Sequence, residues 1–168
     1  VKPDPDLADS GSAPPWATLV ATFFGIGRLR PGPGTWASAA TVLIWAAVAR
    51  QLSPALRTPV AVAVAALVTL IGIPAATRVA RASAAKDPQF VVIDEVAGQL
   101  IALIAVPLAW KTFLASLILF RAFDIVKPPP VRQLETLPEG TGIVLDDVAA
   151  GIFAFLAMHL VLHFGLLS

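Results

Sequence analysis

Long uncharged stretches separated by short charged margins set the pattern of this chain. Apolar residues dominate 16–24, 36–49, 58–77, 88–110, 112–127 and 148–168, and no run keeps the strict apolar-polar alternation of a half-buried strand. The pattern predicts an all-α chain. Residues 36–49 would form a helix of about 20 Å, and residues 58–77 one of about 30 Å, enough to cross a bilayer core. Thr58 is placed to cap the latter with Pro59 in its first turn, while Pro74 should kink or end it. Asp87 reads as the cap of a helix over 88–110, with Asp94 and Glu95 in its early turns. The run Pro128-Pro129-Pro130 must stop the next helix, and the last follows directly on Asp146-Asp147.

Composition places these helices in or against a membrane. Of 168 residues 57% are apolar and only 14% charged, against about 25% charged in an average soluble domain. Mean hydropathy is +0.81. The absence of cysteine excludes a disulfide framework, a thiolate zinc site and a cysteine nucleophile. A net charge of +1, with basic residues scattered rather than grouped, leaves no footprint for nucleic acid. Residues 1–15, with Asp4, Asp6, Asp9, Pro14 and Pro15, read as a disordered tail rather than a signal peptide, and residues 16–168 as one domain.

If the segments starting near residues 36, 58, 88 and 112 each cross or nearly cross the bilayer, all the polar motifs face one side. Arg28, Arg30, Arg78, Arg81, Lys86, Lys127 and Arg132 share that side, against Arg50, Arg57 and Lys111 on the other. The positive-inside tendency makes the motif side cytoplasmic. The shorter segments could instead lie within a bundle that only partly enters the bilayer.

Six acidic residues stand at the margins of these apolar stretches: Asp87 with Asp94-Glu95, then Asp124, then Asp146-Asp147. Carboxylates are costly beside hydrocarbon, and two unit charges 4 Å apart repel by about 4 kcal/mol at an effective dielectric of 20. Converging carboxylates therefore protonate or collect a cation. Oxygen donors without His or Cys suit magnesium or manganese, whose shell is completed by water and a substrate phosphate. The Gly/Pro loop over 25–34 leads into a predicted helix start, where backbone amides favour an anion. It is neither a Walker loop, since Pro33 follows Gly32 where Lys is required, nor a dinucleotide fingerprint, since Arg30 takes the third glycine position.

Four motifs in order carry a family resemblance. They are Phe24-Gly25-Ile26-Gly27 with Pro33-Gly34-Thr35 and Ser38; Lys86-Asp87-Pro88 with the run from Val92 to Gln99; the run from Phe120 to Pro128; and Gly140-Thr141-Gly142-Ile143 with Asp146-Asp147 and Ala150-Gly151. Together they resemble the phosphatidylglycerophosphatase A family. The resemblance implies a magnesium-dependent lipid phosphatase that converts phosphatidylglycerophosphate to phosphatidylglycerol and phosphate at the bacterial inner membrane. It also implies a helical bundle in which one helix is surrounded by others. Arg30, Ala37, Pro129, Glu139 and Val144 depart from the family pattern, which bears on lipid fit and loop shape rather than on the charged motif residues.

Each candidate residue has two readings. Asp94 and Glu95, about 100° apart on a helix, can divide metal binding and water activation, or can simply complement the helix dipole. Arg121, Asp124 and Lys127 fall at three-residue spacing: Asp124 as metal ligand with Arg121 and Lys127 holding phosphate, or all three as a surface ion-pair ladder. Asp146 and Asp147 are metal candidates, Asp147 the less favoured of the two, or a cap with a first-turn acid. Gly25, Gly27 and Thr35 are candidates for phosphate contact, Thr35 also for a helix cap. His159 and His163 have metal-like spacing but sit far from the carboxylates, which favours a polar helix contact. In-line attack by a metal-activated water is the expected mechanism, without a phosphoenzyme, with an aspartyl nucleophile as the alternative the residues leave open. An ion-coupled transporter is the competing class, but its charges would lie near segment centres rather than at margins. The Ala150-Gly151 face permits close contact within the chain or in a homo-oligomer.

Overall fold

A computed structural model of the chain describes residues 12–167. Among them every regular element is helical: α1 (Pro15–Ala21), α2 (Pro33–Gln51), α3 (Pro54–Ser83), α4 (Ile93–Ala102), α5 (Trp110–Val126), α6 (Val131–Leu134) and α7 (Glu139–His163), with a 3-10 turn at Ile26–Arg28. The tail expected over 1–15 lies outside the described residues as far as residue 11, and α1 begins at Pro15.

The ten-residue α4 is the hub. It packs against α2, α3, α5 and α7, and buries Ile93, Asp94, Val96, Ala97, Gly98, Gln99, Leu100 and Ala102. This is the surrounded helix that the resemblance implies. It is shorter than the crossing expected over 88–110. Ten residues span about 15 Å, and the chain leaves the helix at Leu103 to fold back through Val106, both buried, before α5. Ser116 on α5 ties this return down by donating to the Ala102 carbonyl at 2.9 Å. The third stretch therefore enters the bundle and turns back.

Three other boundaries move. Helix α3 starts at Pro54, not Pro59, and runs unbroken through Pro59 and Pro74 for 30 residues. A proline at the first position suits Pro54. The missing amides of the inner prolines are tolerated where neighbouring helices hold the segment straight. Asp87 caps no helix, because the chain from Pro88 to Val92 is not helical. Helix α7 starts at Glu139 rather than 148, so Asp146 and Asp147 lie in its third turn and are not its cap.

Helices α3 and α7 are long and apolar enough to cross a membrane, with only 28% and 44% of their most apolar windows buried in the protein. Leu67, Leu70 and Ile71 on α3, Leu156 and Leu160 on α7 and Leu43 on α2 are exposed. Large apolar side chains exposed on three helices fit association with a membrane.

Candidate active site

The site forms where α4 and α7 cross. A side chain on Gly151 would meet the carbonyl of Gly98, and one on Gly98 would meet Phe120 and the Asp147 carbonyl oxygen. Backbone-to-backbone approach is thus enforced by two glycines. One turn N-terminal of each stand Asp94 and Asp147, which the crossing brings face to face. The lead-in to α4 is fixed by the Val92 amide, which donates to the Ala21 carbonyl at 2.8 Å.

One oxygen from each of Asp94, Glu95 and Asp147 lies within 4.8 Å of the others. Asp94 Oδ1, Glu95 Oε2 and Asp147 Oδ2 are buried with no hydrogen-bond partner. An unpartnered buried carboxylate oxygen carries its full desolvation penalty, which three together relieve by protonation or by collecting a cation. Hard oxygen donors at this separation fit a divalent cation of the magnesium or manganese type. Burial pushes the Asp94 carboxyl well above the ordinary carboxylate range, with Glu95 and Asp147 pushing it further. Glu95 is raised too, burial outweighing a hydrogen bond shared with the Asp94 carboxyl and the pull of Arg121.

Two cations flank the trio. Arg121 Nη1 lies 2.7 Å from Asp124 Oδ2 and 3.6 Å from Glu95 Oε1, joining α5 to α4. Its Nε and Nη1 have no aligned hydrogen-bond acceptor. Lys127 Nζ donates to Asp146 Oδ2 at 2.7 Å, joining the end of α5 to α7, and lies 3.7 Å from Glu135 Oε2. Burial disfavours the ammonium charge, yet the Asp146 bond and attraction outweigh it and raise the Lys127 pKa. Lys127 sits in the left-handed region at φ 47°, directly before Pro128. A residue with a Cβ is strained there by roughly 1–2 kcal/mol, and the Asp146 bond holds it.

All seven charged candidates, Asp94, Glu95, Arg121, Asp124, Lys127, Asp146 and Asp147, line one cavity of ≈ 380 Å³. Asp87, read from sequence as a cap, and Gln89, not singled out at all, line it as well. The Asp-Pro pair at 87–88 gives the same local signal as a helix start, so only tertiary placement separates the two uses. The glycine candidates behave differently. Gly34 touches the wall because Glu95 occupies the space of its absent Cβ. Gly27 is buried with the Phe90 carbonyl in that space, and Gly25 makes the left-handed turn at φ 94°. Neither lines the acidic cavity. Thr35 is exposed three residues into α2, whose cap position is Gly32. The loop's glycines thus pack it against the site. His159 Nδ1 is bonded to the Phe155 carbonyl at 2.9 Å, a helix contact.

The phosphatidylglycerophosphatase A family model matches residues 19–162. The chain belongs to this family. Phosphatidylglycerophosphatase A of Haemophilus influenzae is 36% identical over 142 residues, covering 83% of this chain and 85% of that protein. The Escherichia coli protein of the same name is 31% identical over 151 residues, with 89% and 84% covered. A Bacteroides thetaiotaomicron protein provisionally named a phosphatidylinositol-3-phosphatase is 38% identical over 141 residues, with 82% and 88% covered. No solved structure matches. Family membership makes the protein a phosphatase and sets the transporter reading aside.

Proposed function

We propose that this phosphatase removes the terminal phosphate of phosphatidylglycerophosphate, yielding phosphatidylglycerol and inorganic phosphate. One observation carries the reading: three buried carboxylate oxygens without partners beside Arg121 and Lys127, in a cavity at the polar end of an apolar bundle. The names of two relatives supply the headgroup. Asp94, Glu95 and Asp147 would hold Mg²⁺, with Asp124 and Asp146 at its margin. Bound there, the ion supplies Lewis acidity toward a phosphoryl oxygen and lowers the pKa of a water.

The chain's own groups do the remaining work. Arg121, kept in place by Asp124, offers its unaligned N–H groups to phosphate oxygens, where charge grows as the bond to glycerol breaks. Lys127 uses one of its three protons on Asp146 and has two for substrate. The Asp94-Glu95 pair lines the cavity beside the phosphate position, and one of its carboxylate oxygens would take the proton released as water adds to phosphorus. Water attacks phosphorus directly as the bond from phosphorus to the glycerol oxygen breaks, and the proton taken up by the carboxylate pair passes to the leaving glycerol oxygen.

Basic residues at the site end, including Arg78, Arg81, Lys86 and Arg132, support a cytoplasm-facing site at the bacterial inner membrane. The test is phosphate release from phosphatidylglycerophosphate, phosphatidic acid and phosphatidylinositol 3-phosphate in neutral micelles, with EDTA and then Mg²⁺. Release should be fastest from phosphatidylglycerophosphate, stop with EDTA and return with Mg²⁺. Preference for the inositol lipid would move the assignment to the substrate in the Bacteroides relative's name.

A further inference from the structure

A second cavity, of ≈ 570 Å³, adjoins the acidic one and shares Gly32, Pro33 and Gln89 with it. Its character is opposite. Arg28 and Arg30 line it with Gly27 and Phe90, and no carboxylate does, whereas the acidic cavity sets six carboxylates against two cations. Neither guanidinium has an ion-pair or hydrogen-bond partner among the described residues, and both arginines are exposed. Unpaired guanidinium groups in a concave wall are suited to a phosphate, which they grip with paired N–H donors.

The groove's setting points to lipid. Leu29, between the two arginines in sequence, and Trp36, bonded to the groove's Pro31, are exposed at 49% and 50%, and aromatic and apolar side chains beside arginines mark the headgroup level of a bilayer. The loop is held in shape there by Trp36, whose Nε1 donates to the Pro31 carbonyl at 2.9 Å, and by Gly27 against Phe90.

We propose that the Arg28–Arg30 groove is a second anion subsite, which holds the phosphodiester of the lipid substrate while its terminal monoester occupies the acidic cavity. This deepens the functional reading above and rests on it. A substrate with two phosphates joined by a three-carbon spacer places one in each of two cavities that share a wall. The diester is repelled by the carboxylates and drawn to the arginines, so the pair of cavities also sets which way round the headgroup binds. A lipid with only a monoester leaves the groove unused.

The test compares wild type with the Arg28→Gln/Arg30→Gln variant in neutral detergent micelles, on phosphatidylglycerophosphate and on phosphatidic acid, which has a monoester but no diester. The ratio of kcat/KM for the first over the second should fall about tenfold, through KM, as expected for lost charge-assisted bonds. Arg28→Lys/Arg30→Lys should restore most of it. An unchanged ratio, including an equal fall on both lipids as from arginines that only grip neighbouring anionic lipids, overturns the subsite. A second arm needs no turnover: glycerophosphoglycerol, the diester headgroup alone, should bind the wild type in calorimetry and bind the Gln variant about tenfold more weakly. Equal binding by the two overturns the subsite. Wild type inactive on phosphatidylglycerophosphate would instead remove the substrate assignment, and this binding arm then decides the groove by itself.

Discussion

Gly151 on α7 rests against the carbonyl of Gly98 on α4, with 2.9 Å between the Gly98 Cα and the place a Cβ on Gly151 would take. One helical turn upstream, the same crossing sets Asp147 opposite Asp94. The carboxylate trio therefore depends on two residues that carry no functional group. Gly151→Ala must push the helices apart. Overpacking of this kind costs about 1–3 kcal/mol, and the displaced carboxylates should lower Mg²⁺ affinity together with activity. Thermal unfolding and a Mg²⁺ titration of activity check both effects.

The three unpartnered carboxylates should trade stability for function. Asp94→Asn, Glu95→Gln or Asp147→Asn should each lower phosphate release at least about 100-fold, in the range for losing a positioned acid-base or charge-stabilising group. Each should leave the metal-free Tm unchanged or higher, because a buried like charge is removed. Mg²⁺ raises the Tm of a protein that binds it only when folded, and that rise should shrink in all three variants. A large fall in metal-free Tm would show that these acids hold the fold instead.

Stability should also depend on pH in a direction set by Asp94 and Glu95. Both are raised above the ordinary carboxylate value of about 4. Just above that pH the folded protein holds more protons than the unfolded chain, so these groups make stability fall as pH rises toward their folded values. In EDTA the wild-type Tm should therefore drop, relative to that of Asp94→Asn/Glu95→Gln, over the range in which pH rises above the ordinary carboxylate value of about 4. Saturating Mg²⁺ should abolish the difference in slope. Differential scanning calorimetry across that range reads it directly.

Lys127 and Asp146 make a half-buried pair, with side chains exposed by 25% and 6%. Removing the ammonium leaves the Asp146 carboxylate without its partner, which we expect to cost about 2 kcal/mol, below the 3–5 of a fully buried pair. Lys127→Met should thus lose both stability and activity. Adding Asp146→Asn should recover stability but not activity. Denaturant unfolding beside phosphate release separates the two, and recovery of both would remove Lys127 from substrate binding.

Much of this was legible in the chain because charge is so scarce in it. With 14% charged residues, the acidic clusters stood out, and the helices returned each of them to one end of the bundle. What stayed hidden depended on contacts distant in sequence. The early start of α7 runs through Gly140 and Gly142, poor helix formers. Gly140 is packed against a distant segment, since a Cβ there would meet the Ile73 carbonyl and the Thr77 amide of α3. The shortness of α4 is invisible because buried Leu103 and Val106 continue the apolar run after the helix ends. Asp87 looks like a cap until the chain after it fails to become a helix. Arg28 and Arg30 carry no local signal of a groove, which only the approach of Gln89 and Phe90 creates.

The most direct test is Mn²⁺ binding, followed by electron paramagnetic resonance on the purified full-length protein in detergent, with Mg²⁺ as competitor. Wild type should bind Mn²⁺ in competition with Mg²⁺, and Asp94→Asn/Glu95→Gln/Asp147→Asn should lose that binding while remaining folded and helical. Equal Mn²⁺ binding by the two proteins would contradict a cation site at the α4–α7 crossing.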